Sequence, residues 1–312
     1  MKQQTLITFM YSHLNKLASI LIASLFLCVQ THAITISHIK GESKFETEPK
    51  RVVVLGNASL DVLDRLGIKP VGAPHSLLPD YLKKYESSTT NTGSVSEPDF
   101  EAIFTLKPDV IIAENRMLRI YDDLKQIAPT VMFYVKSTDY WQDTKKNWRM
   151  LGTLFNKKTI VEDLIKETQL ELNNVNKEVR SNKLTALMLM NNGNKLAMFN
   201  KGSRFSVIFD DFGFLESKSR NIKPSKGLHG SLISFEYIAD AKPDTLFILD
   251  REQAIGYSTG KAKALINNPL VHATPASINN RIVLMDNNAW YISSGGITAT
   301  QTMISDIQKI FN

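Results

Sequence analysis

The chain has 312 residues, 43% hydrophobic and 22% charged, with a formal net charge of +6 and one cysteine. That length allows one or two domains, and that balance belongs to a folded globular protein rather than a disordered one. The basic excess is not gathered into runs, and no zinc-finger spacing or interleaved basic and aromatic stripe occurs, so nucleic acid is excluded as the expected partner.

The chain opens on a targeting pattern. Lys2 and Lys16 flank a polar segment, Leu17 to Val29 is an uncharged apolar core, and Thr31-His32-Ala33 offers small residues for cleavage. Residues 1–33 therefore read as a cleavable signal peptide. The core is short of the roughly 20 residues that span a bilayer. Cys28 raises a lipid-anchored alternative, disfavoured because Phe26-Leu27 are bulky where a lipobox wants small residues. Cleavage would leave 35 basic and 31 acidic residues, a charge of +4, and no cysteine. Cysteine catalysis and thiolate metal sites are thereby excluded, and an exported chain of this size must rest on its core.

Residues 34–50 read as a polar leading arm. Arg51-Val52-Val53-Val54-Leu55 is the first buried strand, followed by a helix capped by Ser59 and ended by Gly67. Ile68 to Gly72 starts a second strand-helix unit, and Pro79 to Ser96 reads as a polar loop. After a helix at 118–127, Thr130 to Val135 completes an alternating lobe over residues 34–139. From 140 to 182 apolar residues keep helical spacing with no proline, which predicts a stiff helical connector. Residues 183–312 form the second lobe, with strands at 184–190, 196–199 and 282–285 and a C-terminal helix at 297–310. Asn221 to Gly230 is expected as a loop carrying His229, and Trp290-Tyr291 as a loop before the last helix.

One stretch occurs twice. Phe100-Glu101, Lys107-Pro108-Asp109, an apolar run and Arg116 are matched by Phe235-Glu236, Lys242-Pro243-Asp244, an apolar run and Arg251. The differences 236 − 101, 243 − 108 and 251 − 116 all equal 135, which marks two related halves. Each copy reads as a helix with Asp99 or Ser234 at its N-cap, a Lys-Pro stop and a buried strand. The arginines then fall at the carboxyl edge of each sheet, where open α/β folds bind ligands. The expected fold is α/β, with two Rossmann-like lobes joined by a long connecting α-helix.

The blocks "EPDFEAIFTLKPDVIIAENR", "HGSLISFEYIADAKPDTLFILDR", "RFSVIFDDFGF" and "NAWYISSGG" make the mature chain resemble a class III periplasmic substrate-binding protein of an ABC importer, in the ferric-catecholate siderophore subgroup. The resemblance implies that Arg116, Arg204 and Arg251 face an anionic iron complex across the cleft. It implies that His229 and Tyr291 complete the iron coordination when the siderophore supplies too few donors. It further implies that Glu101 and Glu236 dock on an inner-membrane ABC permease, that the protein is a monomer, and that it carries no cofactor, its ligand being an Fe(III)-siderophore.

The chemistry agrees. A ferric tris-catecholate is anionic, and arginine supplies fixed positive charge with planar donors suited to catecholate oxygens. Ferric iron is a hard acid for which a phenolate is an apt donor and an imidazole an acceptable one. Trp290 and Tyr291 offer rings to stack on catechols or pack against arginine. A haem or another iron complex in the same fold is the alternative. An exported two-lobed enzyme is disfavoured, since no Gly-x-Gly-x-x-Gly, Walker loop or Gly-x-Ser-x-Gly elbow occurs. A bare-metal receptor would need more clustered ligands than one His and one Tyr.

Overall fold

The computed structural model describes residues 33–136, 138–193, 195–227, 230–257 and 261–311. The targeting segment with Cys28, and His229, lie outside the described residues. No described helix is long and apolar enough to cross a membrane.

The leading arm is a two-stranded antiparallel ribbon, β1 (Ile34–His38) and β2 (Gly41–Phe45). Ile36 and Phe45 sink into the core, and Ser43 Oγ donates to the Thr130 carbonyl at 2.8 Å. Five parallel strands follow: β3 (Val52–Val54), β4 (Gly72–Ala73), β5 (Thr90–Asn91), β6 (Val110–Glu114) and β7 (Thr130–Phe133). Their order is β5-β4-β3-β6-β7. The apolar runs of β3 and β6 are buried throughout, as strands covered on both faces require. The strand order reverses between them, so their carboxyl ends form the switch point of the sheet.

Helix α1 (Asn57–Arg65) corrects one expectation: Gly56, not Ser59, is its N-cap. Ser59 sits inside the first turn, and its N–H and hydroxyl both donate to Glu114 Oε1 at 2.7 Å. A carboxylate reaching over from β6 thus satisfies a helix-terminal donor that a local cap would otherwise take. Gly56 is required by this approach, because a Cβ there would lie 2.0 Å from Glu114 Cδ. The expected polar loop 79–96 is also partly ordered, with a 3-10 turn Asp80–Leu82 and a helical turn Tyr85–Ser88. Leu82 and Tyr85 are buried there, an apolar pair hidden among polar neighbours.

The repeat is realised in matching form. Helix α2 (Phe100–Thr105) leads to β6, and Asp99 accepts the Ala102 N–H at 2.9 Å. A 3-10 turn (Asn115–Ile120) and α3 (Tyr121–Ile127) then stand where one helix was expected. Two helices, α4 (Tyr140–Leu154) and α5 (Lys158–Ser181), form the connector. Their buried stripes, including Trp148, Leu151, Val161, Leu172 and Val179, join the core cluster that runs through both lobes. Trp148 Nε1–H donates to the Gly295 carbonyl at 2.8 Å.

The second sheet comprises β8 (Thr185–Asn192), β9 (Lys195–Phe199), β10 (Leu215–Glu216), β11 (Ser225–Gly227), β12 (Gly230–Ile233), β13 (Thr245–Asp250) and β14 (Ile282–Leu284). Strands β8, β13 and β14 are parallel, while β9, β12 and β11 extend the sheet antiparallel. The stretch 221–230, expected as a loop, therefore contributes β11 and the start of β12. Helix α6 (Phe235–Ala241) precedes β13, capped by Ser234.

Two further details keep the halves in register. Lys107 and Lys242 both take left-handed φ angles, 46° and 48°, immediately before proline. Asp109 accepts the N–H groups of Lys50 and Arg51 at 2.9 Å, and Asp244 accepts the N–H and hydroxyl of Thr185 at 3.0 and 2.7 Å. The repeated Lys-Pro-Asp thus ends a helix and ties the next strand to the first strand of its sheet.

Among the remaining helices are α7 (Arg251–Ala254), α8 (Asn287–Tyr291) and α9 (Ile297–Gln308). Helix α9 crosses back to pack on α1. Asp61 of α1 accepts the Thr298 and Ala299 N–H groups at 3.1 and 2.9 Å, capping α9 from the opposite lobe. Gly296 leaves room for this carboxylate, since a Cβ would lie 2.3 Å from Asp61 Oδ2. Burial pushes the Asp61 carboxyl up to about 6, against the opposing pull of those amide donors.

Candidate functional site

Arg116 follows β6 and Arg251 follows β13, so each lobe offers one guanidinium from the carboxyl end of a strand bordering its switch point. Arg204 comes from the turn that precedes the short helix Val207–Asp210. All three meet at Tyr291, the last residue of α8. The Tyr291 carbonyl accepts from Arg204 Nη2 at 2.6 Å and from Arg116 Nη2 at 3.3 Å. Arg251 Nε–H donates to the Tyr291 hydroxyl at 3.1 Å. The Arg204 guanidinium lies 3.7 Å from the Tyr291 ring centroid, a close cation–π stack.

This gathering concentrates positive charge. Arg204 is exposed at the mouth of the cleft, with its guanidinium packed on the Tyr291 ring. Desolvation there lowers its pKa to about 10, the Tyr291 contacts oppose the shift, and the like charges of Arg116 and Arg251 add to it. Arginine stays cationic at neutral pH regardless, so the site holds mutually repelling cations that an anion would relieve.

The surrounding pocket encloses about 290 Å³ and adds three groups that the repeat does not mark: Glu114, Lys136 and Tyr140. Glu114 is 7% exposed and bonded to Ser59; its carboxyl is pushed up by burial, with Arg116 among the groups that pull it back. Lys136 stands just past β7, at the same carboxyl edge as Arg116, and the edge rule alone would have pointed to it. Glu114 had no such signal, because the shift of 135 pairs it with Leu249.

Trp290 is corrected as a stacking surface. It is 2% exposed, its ring packs on Phe212, and its Nε1–H donates to Asp306 Oδ2 at 2.8 Å. Successive residues of α8 point about 100° apart, so Tyr291 faces the cleft while the Trp290 ring is sunk in the core and only borders the pocket. Glu101 and Glu236 are both exposed in the first turns of α2 and α6. Each of these helices runs back along the sheet before its strand, so its first turn lies toward the edge that carries the arginines. His229 lies outside the described residues. Among the described residues no group of three or more His, Cys, Asp or Glu is placed to hold a metal.

Two α/β lobes with a cationic cleft between them, joined by helices, define a two-lobed solute-binding protein rather than an enzyme. Residues 52–289 match the family model for periplasmic binding proteins, and the chain belongs to that family. It is 34% identical to the petrobactin-binding protein YclQ of Bacillus subtilis over 280 residues, covering 88% of this chain and 87% of that one. It is 31% identical to the ferric-anguibactin-binding protein FatB of Vibrio anguillarum, covering 88% and 87%. The crystal structure of the periplasmic catecholate-siderophore binding protein VctP from Vibrio cholerae matches with a TM-score of 0.82 at 38% identity, covering 89% of this chain and all of that one.

Proposed function

We propose that this protein captures an anionic ferric catecholate siderophore in the cleft between its lobes and delivers it to an inner-membrane ABC permease. The observation that carries this reading is the convergence of Arg116, Arg204 and Arg251, drawn from both lobes, on Tyr291. Guanidinium forks match catecholate oxygens in both charge and plane. The ligands of the relatives, petrobactin, ferric anguibactin and catecholate siderophores, point to the same class.

In this reading the arginines attract and neutralise the complex, and Tyr291 with His229 fills iron sites that a tetradentate ligand leaves open. Residues 34–139 and 183–312 act as the two lobes and 140–182 as the connector that limits their closure. The signal segment 1–33 exports the chain, as a monomer, to the periplasm. Glu101 and Glu236 present one carboxylate per lobe to basic residues of the permease.

Tryptophan-fluorescence titration of the mature protein tests the ligand class. Tight quenching by ferric catecholates, with none by ferric hydroxamate or haemin, is the expected result. Binding of haemin alone would discard the catecholate. Replacing Glu101 and Glu236 with alanine should abolish siderophore-dependent iron uptake while leaving ligand affinity unchanged; normal uptake would remove them from the docking surface.

A further inference from the structure

A second, larger cavity of about 680 Å³ lies between residues of the two lobes. The helices that carry Arg251 and Tyr291 also line it, through Gln253 and Ala254 of α7 and through Asn287 and Asn288 of α8. These helices are stitched together: Asn287 Nδ2 donates to Gln253 Oε1 at 3.0 Å, and Asn287 Oδ1 accepts the Asp250 N–H at 2.9 Å. The first lobe closes the cavity with Leu77 and Leu78, and Asn288 Nδ2 donates to the Leu77 carbonyl at 2.6 Å.

Its chemistry is the reverse of the neighbouring pocket. Two carboxylates, Asp250 and Asp286, line it, and no cationic side chain does so among the described residues. Asp250 is 2% exposed and accepts the Gln253 and Ala262 N–H groups. Asp286 is exposed and spends one oxygen on the Ala289 N–H at 2.7 Å. Burial chiefly, then Asp61, Asp286 and Asp64, push the nearby Tyr81 phenol up from its ordinary pKa. Between the polar groups the wall is apolar, with Leu77, Leu78 and Leu284.

A basic chamber and an acidic one therefore meet at the same pair of helices. We propose that the acidic cavity receives a cationic, amine-bearing arm of the ferric complex whose anionic core sits among the arginines. This rests on the catecholate reading and narrows it to siderophores with a protonated amine or polyamine linker. Methylene segments would lie on the leucine wall while ammonium groups donate to Asp286 and to the side-chain carbonyls of Gln253 and Asn288. The volume suits an organic chain and is far larger than a single metal ion needs.

The test compares two ferric catecholates with identical chelating groups, one joined through a protonated polyamine, the other through an uncharged polyether of equal length. Wild type should bind the polyamine complex about fivefold more tightly, the upper end for ion pairs with an exposed carboxylate. Asp286→Asn, which keeps the helix-capping acceptor, should cut that preference about threefold. Gln253→Lys, which adds a cation, should erase it, and neither change should move the polyether affinity. Equal binding of both complexes by wild type, or equal losses for both in the variants, would overturn the arm assignment while leaving the catecholate reading intact. Failure of wild type to bind either complex would overturn the catecholate reading and this inference with it.

Discussion

The two lobes share a frame and differ in what they hang on it. In both, a capped helix stops at a left-handed lysine, an aspartate ties the following strand to the first strand of the sheet, and an arginine stands just past that strand. The first sheet stays wholly parallel, whereas the second grows an antiparallel flank of β9, β12 and β11. The site is correspondingly unequal. One lobe supplies Arg116, Glu114 and Lys136; the other supplies Arg204, Arg251 and Tyr291. A repeated frame fixes where two charges stand, and unrepeated loops decide what else surrounds the ligand.

The joint between lobes is the most sensitive point of that comparison. Trp148 is fully buried in the connector and bonded to Gly295. Trp148→Ala should cost about 3–5 kcal/mol, the usual range for removing a buried aromatic side chain. Urea unfolding measures it, and a loss under 1 kcal/mol would mean the connector carries little of the shared core.

Asp61 gives the joint a pH dependence. Its folded pKa of about 6 exceeds the ordinary value of 3.8, so between those pH values the folded chain holds a proton that the unfolded chain has released. The associated stability is fully present below pH 3.8 and is lost as pH rises through 6. The swing is about 3 kcal/mol, at 1.36 kcal/mol per pKa unit. Unfolding titrations at several pH values should show a flatter profile for Asp61→Asn than for wild type. Identical slopes would contradict the burial of this carboxylate.

The matched ties sharpen the comparison directly. Asp109→Ala and Asp244→Ala should each lose about 1.5–3 kcal/mol, because each removes hydrogen bonds to a charged group at the start of a sheet. Very unequal losses would show that the frame is repeated in form but not in weight. Smaller still, Asp99→Ala and Ser234→Ala should each cost about 1 kcal/mol as lost N-caps.

Much of this was legible because the register survives in the chain itself. Lys-Pro-Asp at two places and arginine eight residues beyond each Pro placed Arg116 and Arg251 on sheet edges without coordinates. The connector was equally plain, since helical spacing without proline leaves few alternatives. Long-range substitutions of one group for another were not legible. Ser59 has the residue type of a cap, yet Glu114, 55 residues away, reaches the helix start instead. Helix α9 closes the second lobe in sequence and is capped from the first by Asp61, 238 residues before Ala299. Trp290 and Tyr291 are neighbours with opposite fates, because one turn of helix where a loop was expected sends one ring inward.

The central claim is that both lobes contribute charge to one anion site. It is tested most directly by titrating wild type and the Arg116→Ala/Arg251→Ala variant with a ferric tris-catecholate, following tryptophan fluorescence. The account predicts a loss of about 100-fold or more, the scale expected when two charge-assisted contacts are removed. An unchanged affinity in a folded variant would contradict the site.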